Sequence, residues 1–124
     1  MKDTRPVHLD LLTMKFPPSA IASICHRISG VILLIFLPFA LWLLQTSLHS
    51  AEGFIRVHQL LSLNSFKFGI LVWLAAISYH LCSGIRHLLM DAGYCESLVG
   101  GRNSAYVVMA VTLILIISAG IWLW

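Results

Sequence analysis

Two histidines stand seven residues apart in the segment YHLCSGIRHLLMD, residues 79–91, near the end of a long apolar run. On an α-helix seven residues turn through about 700° and rise roughly 10 Å, so His80 and His87 share nearly one face. Gly84 lies on that face, where the missing side chain leaves room for a flat group. Because neutral imidazole commonly ligates haem iron, His80 is the expected ligand and His87 is expected nearer the polar edge. The alternative for His80 is a hydrogen bond to another helix.

A second polar cluster stands just before the first apolar run. Ser19, Ser23 and Arg27 recur every four residues and would share a helix face, with His26 on an adjacent face. Arg27 can donate to a carbonyl oxygen or its reduced anion, and Ser23 can donate from one turn away. A quinone has such a carbonyl on an apolar body, so these residues predict a quinone contact. The alternative is that Arg27 reaches lipid phosphate and Ser23 bonds its own backbone.

Composition places both clusters in a membrane protein. Of the 124 residues, 59% are hydrophobic and 10% are charged, whereas soluble domains carry about 25% charged residues. Three runs nearly free of charge each approach the ~20 residues that cross a bilayer as a helix. We therefore expect an all-α membrane protein with one domain, 1–124, and an interfacial N-terminal arm before three transmembrane helices at about 19–48, 66–90 and 104–124. No soluble catalytic domain fits in this length, so the chain is not expected to be an enzyme on its own.

The connections between the spans carry further expectations. Residues 45–67 are predicted to form an outer connection without chemistry of its own, and Gly93 is predicted to end the second span as a glycine cap. The inner connection is predicted to turn at residues 100–101, with Asn103 or Ser104 capping the third span. Arg86 points about 120° away from His80 on the helix, so it is expected to meet haem propionates, lipid phosphate or Asp91.

The distribution of basic residues predicts the orientation of the spans. The formal net charge is +3, and six of the eight basic residues precede the first span or lie between the second and third. Since basic residues favour the cytoplasmic side, the N-terminus is expected inside and the C-terminus in the periplasm. No basic patch interleaved with aromatic residues is present, so nucleic acid is not an expected partner.

The cysteines predict neither a disulfide framework nor a covalently attached haem. Cys25, Cys82 and Cys95 are odd in number and contain no CxxC pair. Cys25 and His26 end like a covalent-haem motif, but Ala22 stands where that motif needs its first cysteine. Any haem is therefore expected to be non-covalent. The polar first 27 residues also lack the apolar core of a cleavable signal peptide.

Taken together, three motifs resemble a known family. RPVHLDL at 5–11, FPPSAIASICHRISG at 16–30 and YHLCSGIRHLLMD at 79–91 are similar to the cytochrome b556 subunits of succinate dehydrogenase, of the proteobacterial type. Those proteins are the larger of two small membrane anchors of respiratory complex II. The resemblance covers nearly the whole chain, and the pair SxxHR and HxxxGxRH is more specific than either motif alone.

The resemblance implies a set of roles. His80 matches the axial ligand of a haem b that is shared with a second small anchor subunit. Ser23 and Arg27 match residues of the ubiquinone site, and His26 and His87 match residues near the haem propionates. An iron–sulfur subunit and a flavoprotein subunit would complete the complex on the bacterial inner membrane.

Other functions remain open from the sequence. The nearest is the anchor of a quinol:fumarate reductase, in which the electrons run in the opposite direction. A small transporter or pore subunit usually carries a charged residue at mid-span, and none lies well inside a span here. A purely structural scaffold would leave the face formed by His80 and His87 without a purpose.

Overall fold

The computed structural model describes residues 16–124 as four α-helices joined by short connections. The helices are α1 (Pro18–His49), α2 (Ala51–Ser62), α3 (Asn64–Asp91) and α4 (Leu98–Leu123). The described part of the chain contains no strand, so the all-α expectation is confirmed. The predicted N-terminal arm lies outside the described residues, apart from its last residue.

Three of the helices are long and apolar enough to cross a membrane, as the sequence predicts. They are α1, α3 and α4, with 32, 28 and 26 residues. At 1.5 Å per residue each exceeds the roughly 30 Å of a bilayer core, so the ends reach into the interfacial layers. Large apolar side chains remain exposed along their lengths, Leu34 by 70% and Ile121 by 76%. Such surfaces suit lipid or a second membrane chain rather than water.

About half of the predicted outer connection forms a helix, α2. Ser50 ends α1 and begins α2, since its Oγ accepts a 3.0 Å hydrogen bond from the Gly53 backbone N–H. Val57 is buried, while His49 and His58 are exposed. The sequence analysis did not predict this helix, in which a serine cap is followed by one buried apolar residue and contacts to the neighbouring helices.

The inner connection also differs from the prediction, because α4 begins six residues early. Ser97, not Asn103 or Ser104, caps the helix, with its Oγ accepting from Gly100 N at 3.0 Å. Gly100 therefore lies in the first turn of α4, where a Cβ would come within 3.0 Å of Cys95 Cα. Close backbone approach, rather than a turn, explains this glycine.

The end of α3 follows the prediction. Ala92 is the C-cap, and Gly93 adopts a φ of +88°, which L-residues with a side chain rarely adopt. The Gly93 backbone N–H donates to Met90 O at 3.0 Å and so satisfies one of the last carbonyls of the helix.

Packing arranges α1 and α4 antiparallel to α3, which contacts both. Tyr79 on α3 donates its hydroxyl to the backbone oxygen of Ala22 on α1 at 3.0 Å. At the opposite end of the bundle, Lys67 on α3 lies 5.7 Å from the ring of Trp124 on α4. We call the end where α1 and α4 begin and α3 ends the histidine end, because His26, among other polar residues, lies there.

Candidate functional site

A cluster of three imidazole rings occupies the histidine end, between α1 and α3. The rings of His26 and His80 stack with centroids 4.1 Å apart and planes 15° from parallel. The ring of His87 lies 5.1 Å from that of His26 at a tilt of 52°. The structure thus brings together three residues that the sequence singled out, with His26 of α1 facing the His80–His87 face of α3.

Two acceptors hold one ring nitrogen of His80. Nδ1 lies 3.2 Å from the backbone oxygen of His26 and 3.1 Å from the Oγ of Ser29. A carbonyl oxygen can only accept, so we assign the ring proton to Nδ1. Within residues 16–124 the other nitrogen, Nε2, makes no hydrogen bond, and in this tautomer it carries the lone pair that a metal would bind.

Two glycines lie beside the rings, and their missing side chains let each ring pack closely against the opposite helix. A Cβ on Gly30 would lie 3.1 Å from His80 Cε1, closer than neighbouring atoms usually tolerate. A Cβ on Gly84 would lie 3.6 Å from His26 Nε2. That nitrogen is buried and has no hydrogen-bond partner among the residues described, which is unusual for a buried polar atom. A partner from outside this part of the chain would satisfy it.

Ser23 and Arg27 lie one turn apart on α1, as their spacing predicts. Arg27 is exposed and Ser23 is half-buried. No hydrogen bond joins either side chain to another residue of the range 16–124. They lie at the same end of the bundle as the histidine cluster, and the guanidinium is open to a ligand or a second subunit.

Arg86 contacts α4, a partner that the sequence-based expectations did not include. Its side chain is 4% exposed, with Nε donating to Ser104 Oγ at 2.9 Å and Nη2 donating to Gly101 O at 3.0 Å. Ser104 Oγ in turn donates to Gly101 O at 3.1 Å. The guanidinium therefore fastens the end of α3 to the first turns of α4.

Replacing Arg86 with methionine is expected to loosen this contact. The change leaves Ser104 and the Gly101 carbonyl without their charged donor in a buried place, at a cost of about 1–3 kcal/mol. Thermal unfolding of the purified complex, followed by the reactivity of the half-buried Cys82 thiol, should then begin at a lower temperature. Arg102→Met is the matched control, because Arg102 is an exposed arginine at the same end of the bundle, in the first turns of α4. Equal unfolding temperatures in both variants would contradict the fastening role.

Two residues of this region were missed in the sequence. Ser29 contacts the ring of His80, and Tyr79 joins α3 to α1. Ser29 follows His26 by three residues, which places it one turn further along α1, but the spacing does not show which side of α1 meets α3.

Comparison with known proteins gives a family for the chain. The family described as succinate dehydrogenase/fumarate reductase transmembrane subunit matches residues 1–119. The succinate dehydrogenase cytochrome b556 subunit of Coxiella burnetii is 48% identical over 125 residues and covers 100% of both chains.

More distant relatives carry the same name. The succinate dehydrogenase cytochrome b556 subunit of Rickettsia prowazekii is 31% identical over 111 residues, covering 90% of this chain and 86% of its own. That of Paracoccus denitrificans is 30% identical over 117 residues, with 92% and 88% covered. The chain, with its three membrane-spanning helices, therefore belongs to the succinate dehydrogenase/fumarate reductase transmembrane subunit family.

Proposed function

We propose that this chain shares one haem b with a second small anchor subunit and forms part of a ubiquinone-reduction site fed by an iron–sulfur subunit. The family makes it a membrane-anchor cytochrome b of complex II, a multi-pass protein of the bacterial inner membrane. The chain belongs to the family of the transmembrane subunit, so succinate oxidation would belong to a flavoprotein subunit.

The observation that carries the haem proposal is the hydrogen bonding of His80. Its Nδ1 faces two acceptors, so its Nε2 presents a lone pair, as an iron-binding imidazole requires. A haem b held in this way supplies a one-electron carrier. The second axial ligand would come from the other anchor subunit, since the roles proposed for His26 and His87 lie at the propionates.

The proposed roles of His26 and His87 follow from their place at the polar edge of the cluster. His26 Nε2 is buried without a partner in the described residues, and an anionic carboxylate is a strong acceptor for such a ring nitrogen once it is protonated. His87 lies nearer the end of α3, close to the membrane surface, where propionates reach water.

Ser23 and Arg27 would hold the quinone. A quinone oxygen gains negative charge as it is reduced, and a guanidinium aimed at that oxygen stabilises the charge more in the reduced than in the oxidised form. Arg27 offers planar N–H groups and Ser23 a hydroxyl one turn away. The exposure of Arg27 leaves it available to the head of the quinone and to the iron–sulfur subunit that would close the pocket.

The charge distribution supports a cytoplasmic location for the histidine end. Arg27, Arg86 and Arg102 lie there, whereas the opposite end holds Arg56 and Lys67. With the further basic residues of the N-terminal segment, the excess favours the cytoplasm. The soluble subunits would then dock beside the proposed quinone site.

Affinity purification tests the proposal as a whole. A tag on the C-terminus, at the opposite end of the bundle from the proposed docking face, should recover a flavoprotein, an iron–sulfur protein and a second small membrane chain. The visible spectrum of the purified complex should show a b-type band that forms on reduction. A preparation with neither soluble partners nor a b-type band would instead favour a transporter or scaffold.

The second candidate function is the anchor of a quinol:fumarate reductase, which the family description also includes. Relatives named for succinate dehydrogenase favour the first candidate. Comparing the rates of succinate oxidation with ubiquinone and of fumarate reduction with a low-potential quinol would separate the two. A transporter has little support, because the buried charge of Arg86 is satisfied by α4 and does not line a pore.

A further inference from the structure

We propose that Ser29 is a positioning residue for His80: it holds the ring proton on Nδ1 and raises the electron-donating strength of Nε2. The inference rests on the proposed function, in which His80 binds the haem iron. Ser29 itself would touch neither the iron nor the quinone and would act only through the His80 ring.

The number of available protons decides which atom donates and which accepts in each hydrogen bond around His80 Nδ1. The Ser29 hydroxyl has one proton, and it is directed to the backbone oxygen of His26 at 2.7 Å. The Oγ can therefore only accept from His80 Nδ1, which lies 3.1 Å away. The carbonyl of His26, 3.2 Å from the same nitrogen, also only accepts. One N–H of His80 is thus shared between two acceptors that are themselves joined by a hydrogen bond.

Other serines of the chain donate to a backbone oxygen of their own helix without a hydrogen bond to a histidine ring. Ser118 Oγ donates to Ile114 O at 2.8 Å, and Ser62 Oγ donates to His58 O at 2.8 Å. Both are exposed, and within residues 16–124 neither makes a hydrogen bond to a ring. Ser29 makes the same kind of bond to its own helix, but it is only 5% exposed and its oxygen faces a ring nitrogen on α3.

The local packing restricts the orientation of the His80 ring as well as the position of its proton. Gly30 follows Ser29 directly, and a Cβ there would come within 3.1 Å of His80 Cε1. His26 stacks on the ring face at 4.1 Å. One turn of α1 therefore contacts the edge, the face and the Nδ1 of the His80 ring, which leaves the ring little freedom to rotate.

The physical consequence is a change in the balance between ferric and ferrous haem. Acceptors on Nδ1–H make an imidazole a stronger donor, which stabilises ferric iron over ferrous. Ser29→Ala removes one acceptor and leaves the His26 carbonyl, so the haem should stay bound. At a fixed potential the ratio of ferric to ferrous haem should fall about threefold, or about 28 mV for a one-electron couple.

Redox titration of the purified complex measures this shift. Ser29→Ala should titrate at a more positive potential, and Ser29→Thr should restore the wild-type value because threonine keeps the hydroxyl. Ser118→Ala is the matched control, since it loses a serine–backbone bond on α4 and should titrate as the wild type. The electron paramagnetic resonance signal of the ferric haem should shift in Ser29→Ala, as the ring gains freedom to rotate.

The outcomes separate this inference from the function on which it rests. If His80→Ala keeps a wild-type haem spectrum, the iron-ligand assignment itself fails. If His80→Ala loses haem while Ser29→Ala titrates unchanged, only the role of Ser29 is overturned. Should Ser29→Ala lose its haem, Ser29→Cys decides, because a thiol fills the space of the hydroxyl but accepts weakly. A positive shift in Ser29→Cys supports the role, and an unshifted titration overturns it.

Discussion

Complex purified with His80→Ala is expected to lose its b-type absorption, with the haem content falling at least about tenfold. An iron-binding imidazole is a principal attachment of a non-covalent haem. Loss of a hydrogen-bond partner of a metal ligand already costs about 10–100-fold in affinity, so loss of the ligand should cost at least as much. The pyridine haemochrome assay gives haem per complex. Oxidation of succinate by a dye that accepts electrons from the soluble subunits should persist, because those subunits do not use His80.

The matched control is His58→Ala, which removes an exposed histidine from α2 at the opposite end of the bundle. It should retain wild-type haem content and spectrum. Wild-type haem content in His80→Ala, with an unaltered band position, would remove His80 from the proposed site.

The Arg27→Leu variant is expected to reduce ubiquinone about 10–100-fold more slowly than the wild type. A hydrogen bond from a charged donor contributes about 1.5–3 kcal/mol, and here the bond would strengthen as the quinone oxygen becomes negative. Dye-linked succinate oxidation should be unchanged, so the ratio of the two activities isolates the quinone step. Steady-state assays with a soluble ubiquinone analogue measure both.

Two further variants test whether the geometry of the guanidinium and its position matter, or only its positive charge. Arg27→Lys keeps the charge but loses the planar pair of donors, so its quinone rate should fall between those of the wild type and Arg27→Leu. Arg102→Leu removes another exposed cation at the histidine end and should reduce quinone at the wild-type rate. Equal quinone rates in Arg27→Leu and Arg102→Leu would contradict a specific role for Arg27.

The spans and the histidine face could be predicted because each depends on a distance along the chain. Bilayer thickness fixes the length of an apolar helix, and the helical repeat fixes which residues share a face. His80, Gly84 and His87 were grouped on that basis. The contacts from Ser29 to His80 and from Arg86 to Gly101 join different helices, and no repeat within one helix predicts which faces will meet.

The prediction from local sequence placed the start of α4 too late in the chain. Adjacent glycines usually favour a turn, yet residues 100–101 lie inside the helix. Gly101 is buried and its carbonyl accepts from Arg86 of α3, so tertiary packing outweighs the cost of about 1 kcal/mol that a glycine brings to a helix. Phe54, Val57 and Leu61 follow helical spacing in α2. The helix was missed because Ser50, Gly53 and Asn64 indicated a connection.

The beginning of α1 carries the proposed quinone residues and also Ser29, which contacts the proposed haem ligand on α3. Ser23 and Arg27 stand on α1 beside Ser29, and Ser23 and Ser29 are separated by about 9 Å along the axis at 1.5 Å per residue. The spacing between the proposed quinone residues and the residue that orients His80 is thus set by helix geometry rather than by a mobile loop. A ligand that binds beside Ser23 and Arg27 would leave this spacing nearly unchanged.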